Sequence, residues 1–130
     1  MIYIDTSALY AIFDEDDAKH KRAAKTWAAL VQVREVLACN NYILVETHAL
    51  LQHRFGIGAK LDLQKIMLLL QVDWITPEDH RLATSALLSA NRRDLSLVDC
   101  SSFQTMRRLG VEKVFTYDDH FRQQGFEIIP

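Results

Sequence analysis

Cysteine is scarce in this chain. Its two residues, Cys39 and Cys100, have neither metal-ligand nor redox spacing. Thiol chemistry and a cysteine metal site are therefore excluded, and reduced thiols in a cytoplasmic protein are expected. Two prolines and four glycines punctuate the chain without marking a linker, and there is no internal repeat or low-complexity tract. At 130 residues the chain reads as one domain, 1–130, large enough to bury about two-thirds of its unfolded surface. No apolar run reaches the length of about 18 residues that a bilayer span needs, so no membrane partner is expected. The first residues lack a basic segment and reach an acid at Asp5, so no signal peptide is expected. Excess positive charge is absent too. Fifteen Lys and Arg against seventeen Asp and Glu give a net −2, which argues against a protein that coats nucleic acid through bulk charge. An enzyme that gathers acids in one place, with bases around it, fits that balance.

Short apolar runs alternate with segments of helical period, the pattern of α/β units around a parallel sheet. Strands are expected at 2–4, 36–39, 73–75, 114–117 and 126–129. Helices are expected at 7–13, 18–34, 42–55, 61–70, 77–90, 97–110 and 119–123. Asn41 is expected to cap the third helix, which Gly56 stops. The acidic run at 14–17 reads as a hydrated turn and helix start. Thr76-Pro77-Glu78-Asp79 is a strong helix start: a Thr cap, Pro at the first position and Asp three residues after the cap.

Four carboxylates stand out. Asp5 follows a strand and precedes a helix, where an N-cap explains it adequately. Asp99 closes a Ser96-x-x-Asp99 capping box. Asp118 also follows a strand and could cap the next helix. Glu46 differs, because its neighbours at three and four residues (Tyr42, Ile43, Ala49 and Leu50) are apolar or aromatic. That puts it on the stripe expected to face the core, where a carboxylate is costly unless paired with a base or bound to metal. Together the four fall at the carboxyl edge of one parallel sheet, where open α/β folds bind ligands. Two carboxylates about 4 Å apart repel by roughly 4 kcal/mol at an effective dielectric near 20. Such a cluster must share protons or hold a cation, and helix N-termini beside three of the acids favour the ionised form. Oxygen donors without Cys or His suit Mg²⁺, or Mn²⁺, rather than zinc.

At these residues the chain resembles the PIN-domain ribonucleases, most closely the VapC-like toxins of bacterial toxin–antitoxin pairs. The elements are Asp5-Thr6-Ser7, Tyr42-Ile43-Leu44-Val45-Glu46-Thr47, the segment from Asp94 to Phe103, and Thr116-Tyr117-Asp118-Asp119-His120-Phe121. An Asp-Thr-Ser triplet alone is weak; the four in this order and spacing are specific, and they cover essentially the whole chain. The resemblance implies a three-layer α/β/α fold with a parallel sheet of four to five strands in order 3-2-1-4-5. It implies Asp5, Glu46, Asp99 and Asp118 as catalytic metal-binding acids, with Ser7 and Thr116 as polar supports. Asp119 competes for the fourth acid but falls where the family is variable. Where the family often has Thr-Thr this chain has Cys39-Asn40, a change at the strand end that leaves the acids intact.

The activity so implied is Mg²⁺-dependent endonucleolytic cleavage of RNA, leaving a 5′-phosphate and a 3′-hydroxyl. A cognate antitoxin and a homodimer come with it. Without the four acids the remaining charge is +2, fifteen bases against thirteen acids. Arg92, Arg93, Arg107, Arg108 and Arg122 are candidate RNA contacts, each with an ordinary alternative as a solvated helix face. His120 is within reach of the site rim, but a capping or packing role is the favoured reading. His48 and His53 are five apart and do not share a helix face, so they form no metal pair. The main rival is a PIN-fold RNA-binding or RNA-processing protein without a toxin role. A phosphatase of the haloacid dehalogenase type would need a second Asp two residues after the first, and Ser7 stands there.

Overall fold

The computed structural model describes residues 1–129, with backbone alone at positions 59–61. Its centre is β1 (Ile2–Ile4), whose Tyr3 and Ile4 are fully buried. Such a strand has no face to give to water, as in a parallel sheet covered on both sides. The chain continues through α1 (Thr6–Phe13), α2 (His20–Gln32), β2 (Leu37–Asn40), α3 (Asn41–Phe55), α4 (Gly58–Met67) and β3 (Leu70–Asp73). It then runs through α5 (Pro77–Ala90), α6 (Leu97–Leu109), β4 (Lys113–Phe115), α7 (His120–Gln123) and β5 (Glu127–Ile129). The five strands form one sheet in the order β3-β2-β1-β4-β5, and every pairing is parallel. Parallel neighbours need helical crossovers of one hand. With strand order reversing at β1, those crossovers spread the helices over both faces.

That reversal makes the neighbours β1 and β4 the walls of the switch-point crevice. Ile4 pairs with Phe115, and the Asp5 amide donates to the Phe115 carbonyl at 3.1 Å. The ladder thus brings the residues after both strands side by side.

Several boundaries differ from the sequence expectation. Asn40, not Asn41, caps α3. Its backbone is extended (φ −107°, ψ 171°) and its side chain accepts from the Ile43 amide. Asn40 also donates to Ser101 and Thr105 of α6. Asn41 instead accepts from the Ile75 amide at 2.6 Å. β3 lies three residues earlier than expected, because its register is set by pairing with Leu37–Asn40 and not by the apolar run that includes Trp74, which is exposed. β4 ends at Phe115, so Thr116 to Asp119 form a turn and not the end of a strand. The acidic run at 14–17 starts no helix. Asp14 is the buried C-cap of α1, with Arg54 at 3.7 Å, and α2 begins only at His20. The α5 start is as expected, with Thr76 and Asp79 forming a reciprocal capping box around Pro77.

Candidate active site

Asp5 is 5% exposed and caps α1. Its Oδ2 accepts from the Ser7 amide at 3.3 Å, the Ser7 hydroxyl at 2.8 Å and the Thr116 hydroxyl at 2.9 Å. Each hydroxyl has one proton, and both point to Asp5, so the 3.0 Å approach of Ser7 to Thr116 is a packing contact. The same oxygens then accept in turn. Ser7 takes the Tyr117 amide at 2.9 Å, and Thr116 takes the Asp118 amide at 3.0 Å. Asp5 therefore latches the turn after β4 onto the start of α1, and that turn carries Asp118. Oδ1 of Asp5 has no hydrogen bond among the described residues.

Asp99 sits in the first turn of α6 within a capping box. Its Oδ2 accepts from the Ser96 amide at 2.9 Å, and its own amide donates to the Ser96 hydroxyl at 3.0 Å. Asp118 accepts from the His120 amide at 2.9 Å. The His120 ring lies 2.9 Å from Asp118, 3.9 Å from Asp99 and 3.1 Å from Asp94. Oxygens of Asp99 and Asp118 and a ring nitrogen of His120 lie within 4.8 Å of one another. Glu46 does not lie on the core face of α3, which is built from Ile43, Leu44, Thr47 and Leu51. It is half-buried beside exposed Val45 and Leu50 and lines the same cleft as the three aspartates.

That cleft, of about 460 Å³, brings Asp5, Glu46, Asp99, Asp118 and Ser7 onto one surface. Thr116 lies just behind it, bonded to Asp5. Burial pushes the Asp5 carboxyl up to about 6, against the bonds from Ser7 and Thr116, and the charge of Asp99 adds to the rise. Burial raises Asp99 as well, with the charge of Asp118 adding to it. Glu46 is raised by burial and by Asp99, while the nearby Thr6 hydroxyl lowers it. That hydroxyl approaches Glu46 without reaching full hydrogen-bond geometry and has no other partner among the described residues. Among the described residues no Lys or Arg forms an ion pair with any of the four acids, and His120 is their one partner of basic type. Crowded carboxylates with unshared oxygen lone pairs and little compensating charge fit a hard divalent cation.

The five arginines singled out from sequence lie elsewhere. Arg92 makes a two-pronged contact with Asp94, which also touches His120. Its companion Arg93 lies with it in a separate depression beside Leu87 and Leu88. Arg107 bonds Gln124 at 2.7 Å and lies over the Phe126 ring. Arg108 pairs with Asp73 and, at 3.7 Å, with Asp79. Arg122 bonds Asp119 at 2.7 Å, and both are exposed, so Asp119 turns away from the cleft. The basic residues that line it are Lys19, His53 and Arg54, none of which was an expected RNA contact. Arg54 is tied to Asp14 and Asp16.

The PIN domain description matches residues 2–127. The chain belongs to the PIN domain family. A relative from Mycobacterium tuberculosis, named 23S rRNA-specific endonuclease VapC20, is 32% identical over 128 residues, which is 97% of this chain and 95% of the relative. The crystal structure of M. tuberculosis VapC20, described as a Sarcin-Ricin loop cleaving toxin, superposes with a TM-score of 0.87 at 30% identity. The match covers 97% of this chain and 96% of that one. The crystal structure of PAE2754 from Pyrobaculum aerophilum shares the fold, with a TM-score of 0.64 at 23% identity over 98% of this chain and 82% of that one. This PIN domain thus carries the parallel five-stranded sheet in the order 3-2-1-4-5 that its motifs imply. No helix among the described residues is long and apolar enough to cross a membrane.

Proposed function

We infer that this PIN protein is a metal-dependent endoribonuclease, the toxin of a VapBC-type pair, with residues 1–130 forming one nuclease domain. The observation that carries the reading is the convergence of Asp5, Glu46, Asp99 and Asp118 on one cleft with so little compensating positive charge. Asp5 and Asp99 would hold the cation, each through the oxygen its cap leaves free, with Asp118 completing the donor set and Glu46 reaching the ion through a water. Mg²⁺ is the expected ion, with Mn²⁺ as a substitute. Once bound, such an ion screens the phosphate and lowers the pKa of a coordinated water.

The chain's own contribution is arrangement. Ser7 and Thr116 fix the Asp5 carboxylate and, through the Tyr117 and Asp118 amides, the turn that carries Asp118. His120 orients the Asp118 carboxylate. Glu46, half-buried and with its carboxyl raised by burial, accepts the proton of the attacking water. The water oxygen bonds to phosphorus as the bond to the 3′ oxygen breaks. That oxygen takes a proton from solvent and leaves as the 3′-hydroxyl, and the phosphate stays on the 5′ side.

The likeness to a 23S rRNA-specific endonuclease supports structured ribosomal RNA as the substrate class. The resemblance to VapC-like toxins implies a small antitoxin as partner, and action in the cytoplasm as a homodimer. The test is cleavage of ribosomal RNA by the purified protein in Mg²⁺, with the ends of the fragments sequenced. Asp99→Asn is expected to lower the rate by at least about a hundredfold, the scale of losing one preorganised electrostatic group. Full activity in that variant overturns the mechanism, and an intact wild type that binds RNA without cutting it leaves a binding protein of PIN fold.

A further inference from the structure

The acidic cleft poses a problem for a polyanionic substrate, because Arg54, which lines it, is tied to Asp14 and Asp16, and Arg92, Arg107, Arg108 and Arg122 are bonded to carboxylates or glutamines. Lys19 is an exception. It sits at the N-cap of α2 and lines the cleft with the acids. Its Nζ lies 5.1 Å from the centre of the Tyr117 ring. Among the described residues no carboxylate pairs with its ammonium, since Asp17 takes only its backbone amide, at 2.8 Å. The Ala23 amide bonds back to the Lys19 carbonyl at 2.9 Å, and His20 is tied to the Ala11 carbonyl at 2.8 Å. The stem of Lys19 therefore leaves a fixed point.

Tyr117 is equally fixed. Its amide is held by Ser7, and its ring packs edge-on against Phe115 with centroids 6.0 Å apart. Arg22, Thr116 and Tyr117 line a smaller depression together with the paired Asp119 and Arg122, and Arg22 acts on Tyr117 through its charge. Arg22, three residues after Lys19, is exposed and also has no carboxylate partner among the described residues. Residues three apart on a helix are neighbours on its surface. A lysine held by an aromatic face keeps its charge available for an anion, whereas one neutralised by a carboxylate does not.

We propose that Lys19 and Arg22, both set beside Tyr117, hold the phosphates of the RNA strand beside the scissile bond and guide it into the acidic cleft. This rests on the nuclease reading of that cleft.

The test separates binding from cleavage. A fluorescein-labelled RNA hairpin is titrated, by anisotropy, with Asp99→Asn protein that also carries Lys19→Ala, Arg22→Ala, or both, at several salt concentrations. Each phosphate contact on single-stranded RNA contributes about 0.7 to the slope of log affinity against log salt. The double variant should therefore lose about 1.4 of that slope, and Lys19→Arg with Arg22→Lys should restore it. In the cleaving protein the same pair should raise KM and leave kcat within about twofold, as loss of uniform binding does. Both side chains are exposed, so melting temperatures should stay unchanged. An unchanged salt slope overturns the proposal. So does absence of RNA binding by the Asp99→Asn protein, or a loss confined to binding of the antitoxin. Failure of the wild type to cleave overturns the nuclease reading, while the binding arm still gives its own answer.

Discussion

Asp5→Asn should make the metal-free protein more stable at neutral pH, although it alters a residue at the centre of the site. Burial raises the Asp5 carboxyl from an ordinary 3.8 to about 6. Two pH units at about 1.36 kcal/mol each give roughly 3 kcal/mol as the ceiling for the cost of holding it ionised. Asparagine keeps an acceptor oxygen for Ser7 and Thr116 and caps a helix as well as aspartate does. The bonds lose their charge-assisted strength, which offsets about 1 kcal/mol or more. A net gain of about 1–2 kcal/mol remains, or about 3–8 °C in Tm for a domain of this size. The sign of the pH dependence follows from the raised value. The native protein holds the proton more tightly than the unfolded chain, so the contribution of Asp5 is fully present below about pH 4 and is lost as pH rises through about 6. Urea unfolding of both proteins in EDTA from acid to neutral pH should show two stabilities that converge below about pH 4, separate between about 4 and 6, and keep a constant gap above that. A variant less stable than wild type by about 1 kcal/mol at neutral pH, or a gap indifferent to pH, refutes the claim that burial sets the energetics of this carboxylate.

Two further outcomes follow from the same geometry. Millimolar Mg²⁺ or Mn²⁺ should raise the melting temperature, by the equivalent of about 2.7 kcal/mol at a hundred times the dissociation constant. Asp99→Asn should abolish that rise, and a wild type indifferent to either ion speaks against a cation site. Asn40→Ala should cost about 2–4 kcal/mol in urea unfolding at an unchanged m value. It strips the α3 cap and leaves the Ile43 amide, Ser101 and Thr105 without their buried partner.

What could be read from the sequence was whatever local chemistry dictates. Pro77 after Thr76, with Asp79 closing the box, can do little but start a helix, and the strand–acid–helix spacing of Asp5 set the edge of a parallel sheet. Less legible was whatever depends on partners distant in the chain. Which of two adjacent asparagines caps α3 is decided by where β2 stops, and so by pairing with β1 and β3. Glu46 has apolar neighbours at helical spacing, yet two of the four, Ala49 and Leu50, are themselves exposed, so spacing alone could not distinguish a cleft wall from the core. The arginine pairs gave no sign that Asp73, Asp94 and Gln124 occupy them, and Lys19 gained its place only when α2 folded beside the turn after β4. His120 was read as a capping or packing residue, but the fold places it between Asp94 and Asp118.

The opposition between cap and ligand, which governs any reading of these aspartates from sequence, does not survive at the level of atoms. Every hydrogen bond that Asp5 accepts falls on Oδ2, and the capping bond of Asp99 likewise falls on its Oδ2. Each carboxylate thus has one oxygen engaged in the structure and one free for a cation. An alanine at either position removes both functions, so its effect on stability combines a lost cap, a cost of about 0.5–2 kcal/mol, with relief from a buried charge of opposite sign. A near-zero result for Asp5→Ala would therefore say nothing about either. Asparagine keeps the engaged oxygen and removes only the charge. Its stability difference from wild type, read with and without Mg²⁺, measures the ligand function separately from the cap.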